Sequence, residues 1–230
     1  MPNWCENELT ITGPDVNRVL EAIRSENDQD QEVRLFDFNR IIPYPQIYRD
    51  LDLRAAAYQE KLLAIPRDDP ERRQKLEALG LEYGVEPGTP WIQDGYNSGG
   101  YEWSCDNWAT KWNASHVHLT TFADPSRPMR KTSKCPCCQT VQKTEGLSVL
   151  ICRQCGSPLP DAEPLRAFLE FDTAWCPPIP VIEKLAAMFP DHAFELKYYE
   201  GGMGFCGHIR WDRGCEEFDH QANYDGPRGG

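Results

Sequence analysis

Apolar and polar residues alternate through Glu8-Leu9-Thr10-Ile11-Thr12, the two-residue period of a strand with one buried face. Gly13-Pro14-Asp15 then turns the chain, and Val16, Val19, Leu20 and Ile23 recur at helical spacing as far as Ser25. Residues 26–32 read as a polar loop. Leu35-Phe36-Asp37-Phe38 leads into Ile41-Ile42-Pro43-Tyr44-Pro45, which its two prolines keep extended. From 50 to 84 the pattern becomes that of a helical hairpin. Leu51, Leu53, Ala55, Ala56, Leu62 and Leu63 lie among strong helix formers, Pro66 interrupts them, and Asp69-Pro70-Glu71 restarts a helix expected to stop at Gly80. A loop rich in Gly and Pro follows, and then an aromatic stretch, Tyr101 to Trp112, with no clear period. Strands are predicted at Val117–Phe122 and Leu165–Ala174, and a helix at Val181–Phe189. Ala193–Tyr199 and Gly204–Trp211 form a strand pair turning at Glu200-Gly201-Gly202-Met203, and a loose polar tail begins at Glu216.

Two strand–helix–strand halves in this order predict an α+β fold of the ferredoxin-like kind, an antiparallel sheet with helices on one face. The discontinuous core takes residues 1–49, 85–124 and 159–215. The helical hairpin (50–84) and a cysteine-bearing segment (125–158) are insertions, and 216–230 is a flexible tail.

Composition adds few exclusions. The chain has 230 residues and a net charge of −12, which opposes non-specific binding to nucleic acid. The segment from Pro125 to Pro158 runs the other way: Arg127, Arg130, Lys131, Lys134, Lys143 and Arg153 face one acid, Glu145, leaving −17 on the remainder. An acidic body suits basic protein partners, or simply solvation. No apolar run reaches 18 residues, which excludes a membrane-spanning helix. The start, Met1-Pro2-Asn3-Trp4-Cys5-Glu6, is not that of a signal peptide. The expectation is a cytoplasmic protein whose ten cysteines are thiols and metal ligands rather than disulfides.

Cys135-Pro-Cys-Cys138 and Cys152-Arg-Gln-Cys155-Gly156 are two Cys-x-x-Cys pairs. Two intervening residues let the backbone turn so that both thiolates meet one ion, and Gly156 suits the left-handed position that completes such a turn. Between the pairs, Val141 to Leu150 can form a hairpin turning near Glu145-Gly146. The spacing predicts a zinc ribbon with one structural zinc on Cys135, Cys138, Cys152 and Cys155, because four thiolates close the site. An iron–sulfur cluster would accept the same four ligands. Cys137 is expected to be a bystander.

Trp108, Lys111, Trp112, Asp172, Thr173, Trp175 and Glu200, with Asp106, mix charge and aromatic surface as the lining of a ligand pocket would. Tryptophans that fill the core beneath solvated charges would read the same way. His116 and His118 would share one face of a strand and could take a metal, or simply be solvated. Arg127, Arg130, Lys131 and Lys134 form a basic arm suited to nucleic acid. No phosphate loop or nucleophile elbow is present, and no catalytic residue is assigned.

Four ordered groups of residues carry a resemblance. They are Met1-Pro2-Asn3-Trp4-Cys5 with Asn7 and Leu9, Asp106 to Asn113, Phe171 to Pro178, and Tyr198-Tyr199-Glu200 followed by Phe205 and Gly207. Together they resemble the YubB-like family of phage and conjugative-plasmid proteins over residues 1–45 and 100–212, outside the cysteine segment. The resemblance implies a ferredoxin-like domain and a bacterial mobile-element setting, and it brings no activity or site residues. The resulting expectation is a non-catalytic, zinc-containing binding protein that acts on a host protein or small ligand, for instance in counter-defence. A nucleic-acid-binding regulator and an enzyme using the Trp/Asp/Lys pocket are the alternatives.

Overall fold

The computed structural model describes residues 3–26, 33–86, 89, 91–123, 132–143, 151–157 and 164–226. In chain order the strands are β1 (Trp4–Thr12), β2 (Ser25–Glu26), β3 (Val33–Arg34), β4 (Ser115–Ala123), β5 (Thr132–Lys134), β6 (Val141–Lys143), β7 (Pro164–Ala174), β8 (Ala193–Glu200), β9 (Phe205–Asp212) and β10 (Cys215–Asn223). The helices are α1 (Val16–Ile23), α2 (Gln46–Ala64), α3 (Arg72–Tyr83), α4 (Gly100–Trp108) and α5 (Ile179–Met188). The chain divides into two compact units, Met1–Pro43 with Asp106–Gly230, and Tyr44–Cys105.

The first unit is built on a six-stranded antiparallel sheet in the order β10-β9-β8-β1-β7-β4. Taking β1, β4, β7 and β8 alone, with α1 after β1 and α5 after β7, gives the ferredoxin-like topology expected from the sequence. The central strand β1 alternates strictly: Cys5, Asn7, Leu9 and Ile11 are buried, while Glu6 and Glu8 face solvent. Leu9 lies opposite Leu169 on one side and Leu196 on the other. Over this face α1 buries Val16, Val19, Leu20 and Ile23, and α5 buries Val181, Ile182, Leu185 and Ala186. The helical period read from the sequence is therefore the set of side chains that leave water, each worth about 1.5–3 kcal/mol when fully buried. Asp15 caps α1, its Oδ1 accepting from Arg18 N at 3.1 Å.

The opposite face of the sheet is exposed and mixed in charge, with carboxylates on β1 and β7 flanked by Lys197 on β8 and His118 on β4. Glu6 on β1 stands opposite Asp172 on β7, and Glu8 opposite Glu170. Directly opposed like charges cost about 0.2–1 kcal/mol per pair. The fold tolerates both.

Three expectations need correction. The loose tail expected from Glu216 is instead strand β10, which pairs with β9 through Asn223; its nine residues are all exposed, so no apolar alternation marks it. Helix α3 runs through Gly80 and ends at Gly84, whose φ of 64° supplies the left-handed stop, with Val85 N donating to Gly80 O at 2.8 Å. The aromatic stretch is largely helix α4. Of the hairpin expected within 141–150, residues 144–150 lie outside the described residues, as do the arm residues Arg127, Arg130 and Lys131; residues 141–143 form β6, which pairs with β5, the strand that carries exposed Lys134.

The second unit contains the helix pair expected at 50–84. Tyr58 meets Tyr83 edge-on at 5.3 Å, and Lys61 pairs with Glu82. Asp52 Oδ1 accepts from Gly95 N at 2.8 Å and Tyr96 N at 3.1 Å, holding the following loop against α2. No helix among the described residues is long and apolar enough to cross a membrane.

Candidate metal centre and aromatic cluster

The two Cys-x-x-Cys segments fold as matching knuckles. Cys135 N donates to Thr140 O (2.9 Å) and Gln139 N to Cys135 O (3.1 Å); in the second, Cys152 N donates to Ser157 O (2.7 Å) and Gly156 N to Cys152 O (2.8 Å). The residue after each second cysteine is left-handed, Gln139 at φ 62° and Gly156 at φ 67°. One position is thus served by glycine at no steric cost and the other by a residue that bears strain. Gln142 joins the segments, donating to Ile151 O at 2.9 Å and accepting from Arg153 N at 2.9 Å.

The ligand atoms of Cys135, Cys138, Cys152 and Cys155 all lie within 4.8 Å of one another. Cys135 Sγ is 3.5 Å from Cys155 Sγ, and Cys138 Sγ is 3.5 Å from Cys152 Sγ. Four sulfurs placed tetrahedrally at about 2.3 Å from one ion would stand about 3.8 Å apart, so the cluster has the size to hold a metal ion. Burial resists ionisation at Cys155, but hydrogen bonding from Ser157 and the neighbouring thiols brings that thiol down to about 6. Burial prevails at Cys152, which is pushed up to about 12. Thr140 lowers Cys138. A metal would replace these unequal protonation states with four thiolates. Cys137 is exposed and outside the cluster, its Sγ 3.6 Å from Arg24 Nη2. Arg24 also donates to Ser157 Oγ, and a Cβ on Gly156 would lie 2.7 Å from Leu35 Cδ2. These contacts seat the cysteine module beside β2 and β3.

The residues proposed to line a pocket separate into two groups. Trp108 is core: it packs edge-on against Phe38 at 5.8 Å and donates from Nε1 to Ile42 O at 2.9 Å. Thr173 is buried and donates to Cys176 O at 2.8 Å. Glu200 is buried, and its carboxylate accepts from Gly202 N at 2.9 Å and from Met203 N, capping the β8–β9 turn. The other four meet at the surface. Lys111 Nζ lies 3.8 Å from the Trp112 ring centroid and 4.1 Å from that of Trp175, within cation–π range of both. Trp112 continues to Trp4 at 6.1 Å, Trp4 meets His116 at 5.8 Å, and His116 Nδ1 is 2.8 Å from Asp172 Oδ2. Asp106 stays on α4, outside these contacts.

Two members of this cluster have unusual backbones. Trp175 has φ 72° and His116 φ 50°, conformations that bulky side chains rarely adopt. His116 sits at a register shift between Ser115 and His118 opposite β7; it reaches Asp172 while His118 stands opposite Glu170, so both histidines are exposed on the face that carries those two acids.

Asn7 and Trp4 were visible only as parts of the opening motif, and His116 only as half of a metal pair. Asn7 is the buried tie between strands: its Nδ2 reaches Cys5 O (2.8 Å), Thr173 Oγ1 (2.9 Å) and Phe171 O (3.2 Å). Thr173 passes the chain of bonds to Cys176 O, so the segment bearing Trp175 hangs from β1. A groove of about 670 Å³ lies close by, lined among others by Cys176, Ile179, Tyr198, Phe205 and Cys206.

These observations define an α+β protein with a ferredoxin-like core and a four-cysteine cluster able to hold a metal. Residues 165–225, from β7 through β10, match the family described as a ferredoxin-like domain in Api92-like protein. The crystal structure of a protein Api92 from Yersinia pseudotuberculosis superposes over 99% of this chain and 100% of its own, at 14% identity and a TM-score of 0.45. No curated protein matches.

Proposed function

We propose that this is a non-catalytic, zinc-containing binding protein of a bacterial mobile element that acts on a host protein or small ligand. The observation that supports the reading best is the closeness of four cysteine sulfurs on two matched knuckles, all within 4.8 Å. Zinc favours four thiolates in a tetrahedron, and such a set leaves no coordination position for substrate, so the ion's part is to fold the module. The Trp-rich motifs that resemble the YubB-like family support the mobile-element setting. The groove beside Tyr198, about 670 Å³, has the size of small-ligand pockets. Nucleic acid ranks lower, because the two middle strands of the open sheet face carry Glu6, Glu8, Glu170 and Asp172, which repel phosphate.

Native mass spectrometry of the chain purified from bacterial lysate tests the reading. The expected spectrum shows one zinc per chain together with a bound protein or small molecule. Zinc-loaded chain that captures neither, or that turns over a substrate and loses this turnover in Asp172→Asn, would retire the binding reading and leave the metal assignment standing.

A further inference from the structure

Where α2 ends and α3 begins, the second unit holds a pocket of about 220 Å³. Leu62, Leu63, Ile65 and Leu76 give it aliphatic walls, and two arginines, Arg67 and Arg72, complete them. Buried Tyr58 closes one side, donating from its hydroxyl to Thr89 O at 2.6 Å. No carboxylate lines the pocket.

These two arginines differ from the other cations of the helix pair, all of which have partners. Arg49 donates to Tyr44 O and Arg54 to Tyr83 O; Lys61 pairs with Glu82, Arg73 with Glu77, and Lys75 with Asp69 and Glu71. The side chains of Arg67 and Arg72 have no hydrogen bond, ion pair or ring contact among the described residues, and Nε of Arg72 is buried in that state. The acids nearest in sequence do not serve them. Asp69 and Glu71 are taken by Lys75, and Asp68 is exposed and not a wall residue. A buried donor of a charged group without a partner is costly, and such groups call for an explanation. Here the explanation is an anion supplied from outside the fold.

We propose that this pocket binds an aliphatic monocarboxylate, its head on Arg72 and Arg67 and its chain among Leu62, Leu63, Ile65 and Leu76. The site is separate from the zinc module and goes beyond the binding-protein reading, which does not use it. A guanidinium presents paired N–H donors in the geometry that a carboxylate accepts. The chain accounts for the walls: Leu63 is 75% exposed, and apolar surface of this kind leaves water when the pocket fills. A neutral ligand would leave both cations unpaired, and a small hydrated anion would leave the leucines wet. The volume, about 220 Å³, equals roughly seven water-sized groups. That is room for a carboxylate and a short to medium hydrocarbon chain.

The experiment titrates octanoate, carbon-13-labelled at its carboxyl, into the zinc-loaded chain and follows the label by NMR. Saturable binding with a shifted carboxylate resonance is expected. Unlabelled octanol and acetate should each compete at least tenfold less well than unlabelled octanoate. Arg72→Gln should weaken octanoate at least tenfold and Leu63→Gln at least threefold, with zinc content unchanged in both. Because Arg72→Gln removes a cation without a partner, the free variant should melt no lower than the parent. Absence of saturable binding, equal binding by Arg72→Gln, or octanol competing as well as octanoate overturns the proposal. So does a lowered melting temperature in free Arg72→Gln, which would make the guanidinium a support of the helix pair. Each of these failures leaves the binding-protein reading standing.

Discussion

Replacing Asn7 with alanine tests how the sheet holds the Trp175 segment. The Asn7 amide has two N–H groups for three acceptors, so the short contacts to Cys5 O (2.8 Å) and Thr173 Oγ1 (2.9 Å) take most of the bonding and Phe171 O (3.2 Å) a share. Losing two buried hydrogen bonds costs about 0.5–1.5 kcal/mol each, and a buried acceptor left without its partner adds to this. The void left by the amide, which is enclosed at 2% exposure, adds about 1 kcal/mol. The expected loss is about 2–4 kcal/mol, and at about 2–4 °C per kcal/mol for a chain of this size Tm falls by roughly 5–15 °C. Urea unfolding followed by far-UV circular dichroism gives the free energy, with Glu21→Ala on exposed α1 surface as control. Asn7→Leu, which refills the space, should recover only part of the loss, because the acceptors remain unpaired. A loss below about 1 kcal/mol for Asn7→Ala would refute the role given to this amide.

Three further outcomes follow from the geometry. Burial works against ionisation of Asp37, but hydrogen bonds from Ser25, Asn113 and Asn39 outweigh it and hold the carboxyl below its usual range; its stabilising contribution is present above about pH 4 and is lost as pH falls through the lower folded value, so Asp37→Asn should flatten the acid limb of a stability–pH profile. Glu8→Gln removes a like-charge contact with Glu170 on one side and an opposite-charge contact with Lys197 on the other, so the two effects should cancel to within about 0.5 kcal/mol in urea titrations. Gly95→Ala would place a Cβ 1.9 Å from Tyr48 O, a backbone atom, and should cost more than about 2 kcal/mol; limited proteolysis of the Tyr44–Cys105 unit reads the loss directly.

What the sequence reveals follows from where its signals are local. The alternation in β1 and the helical period of Val16, Val19, Leu20 and Ile23 are one-dimensional records of burial, so the ferredoxin-like core is legible from them. The cysteine spacing is equally local, and both knuckles close as the two-residue gap requires. Strand β10 escapes because main-chain pairing with β9 holds nine exposed residues, which leave no pattern. Gly80 and Gly84 look alike in sequence, and only the φ of 64° at Gly84 separates the stop from a residue the helix passes through. Trp108 and Trp112 are four apart, yet one is buried and the other is 38% exposed, because α4 ends between them. The link from Asn7 to Thr173 spans 166 positions and exists only once β1 pairs with β7.

The central claim is that four thiolates enclose one structural zinc. X-ray absorption at the zinc edge of the purified chain tests it most directly. The account predicts one zinc per chain with four sulfur scatterers at about 2.3 Å, and loss of that signal in Cys152→Ser. Nitrogen or oxygen in the first shell, a different metal, or unchanged sulfur coordination in Cys152→Ser would contradict it.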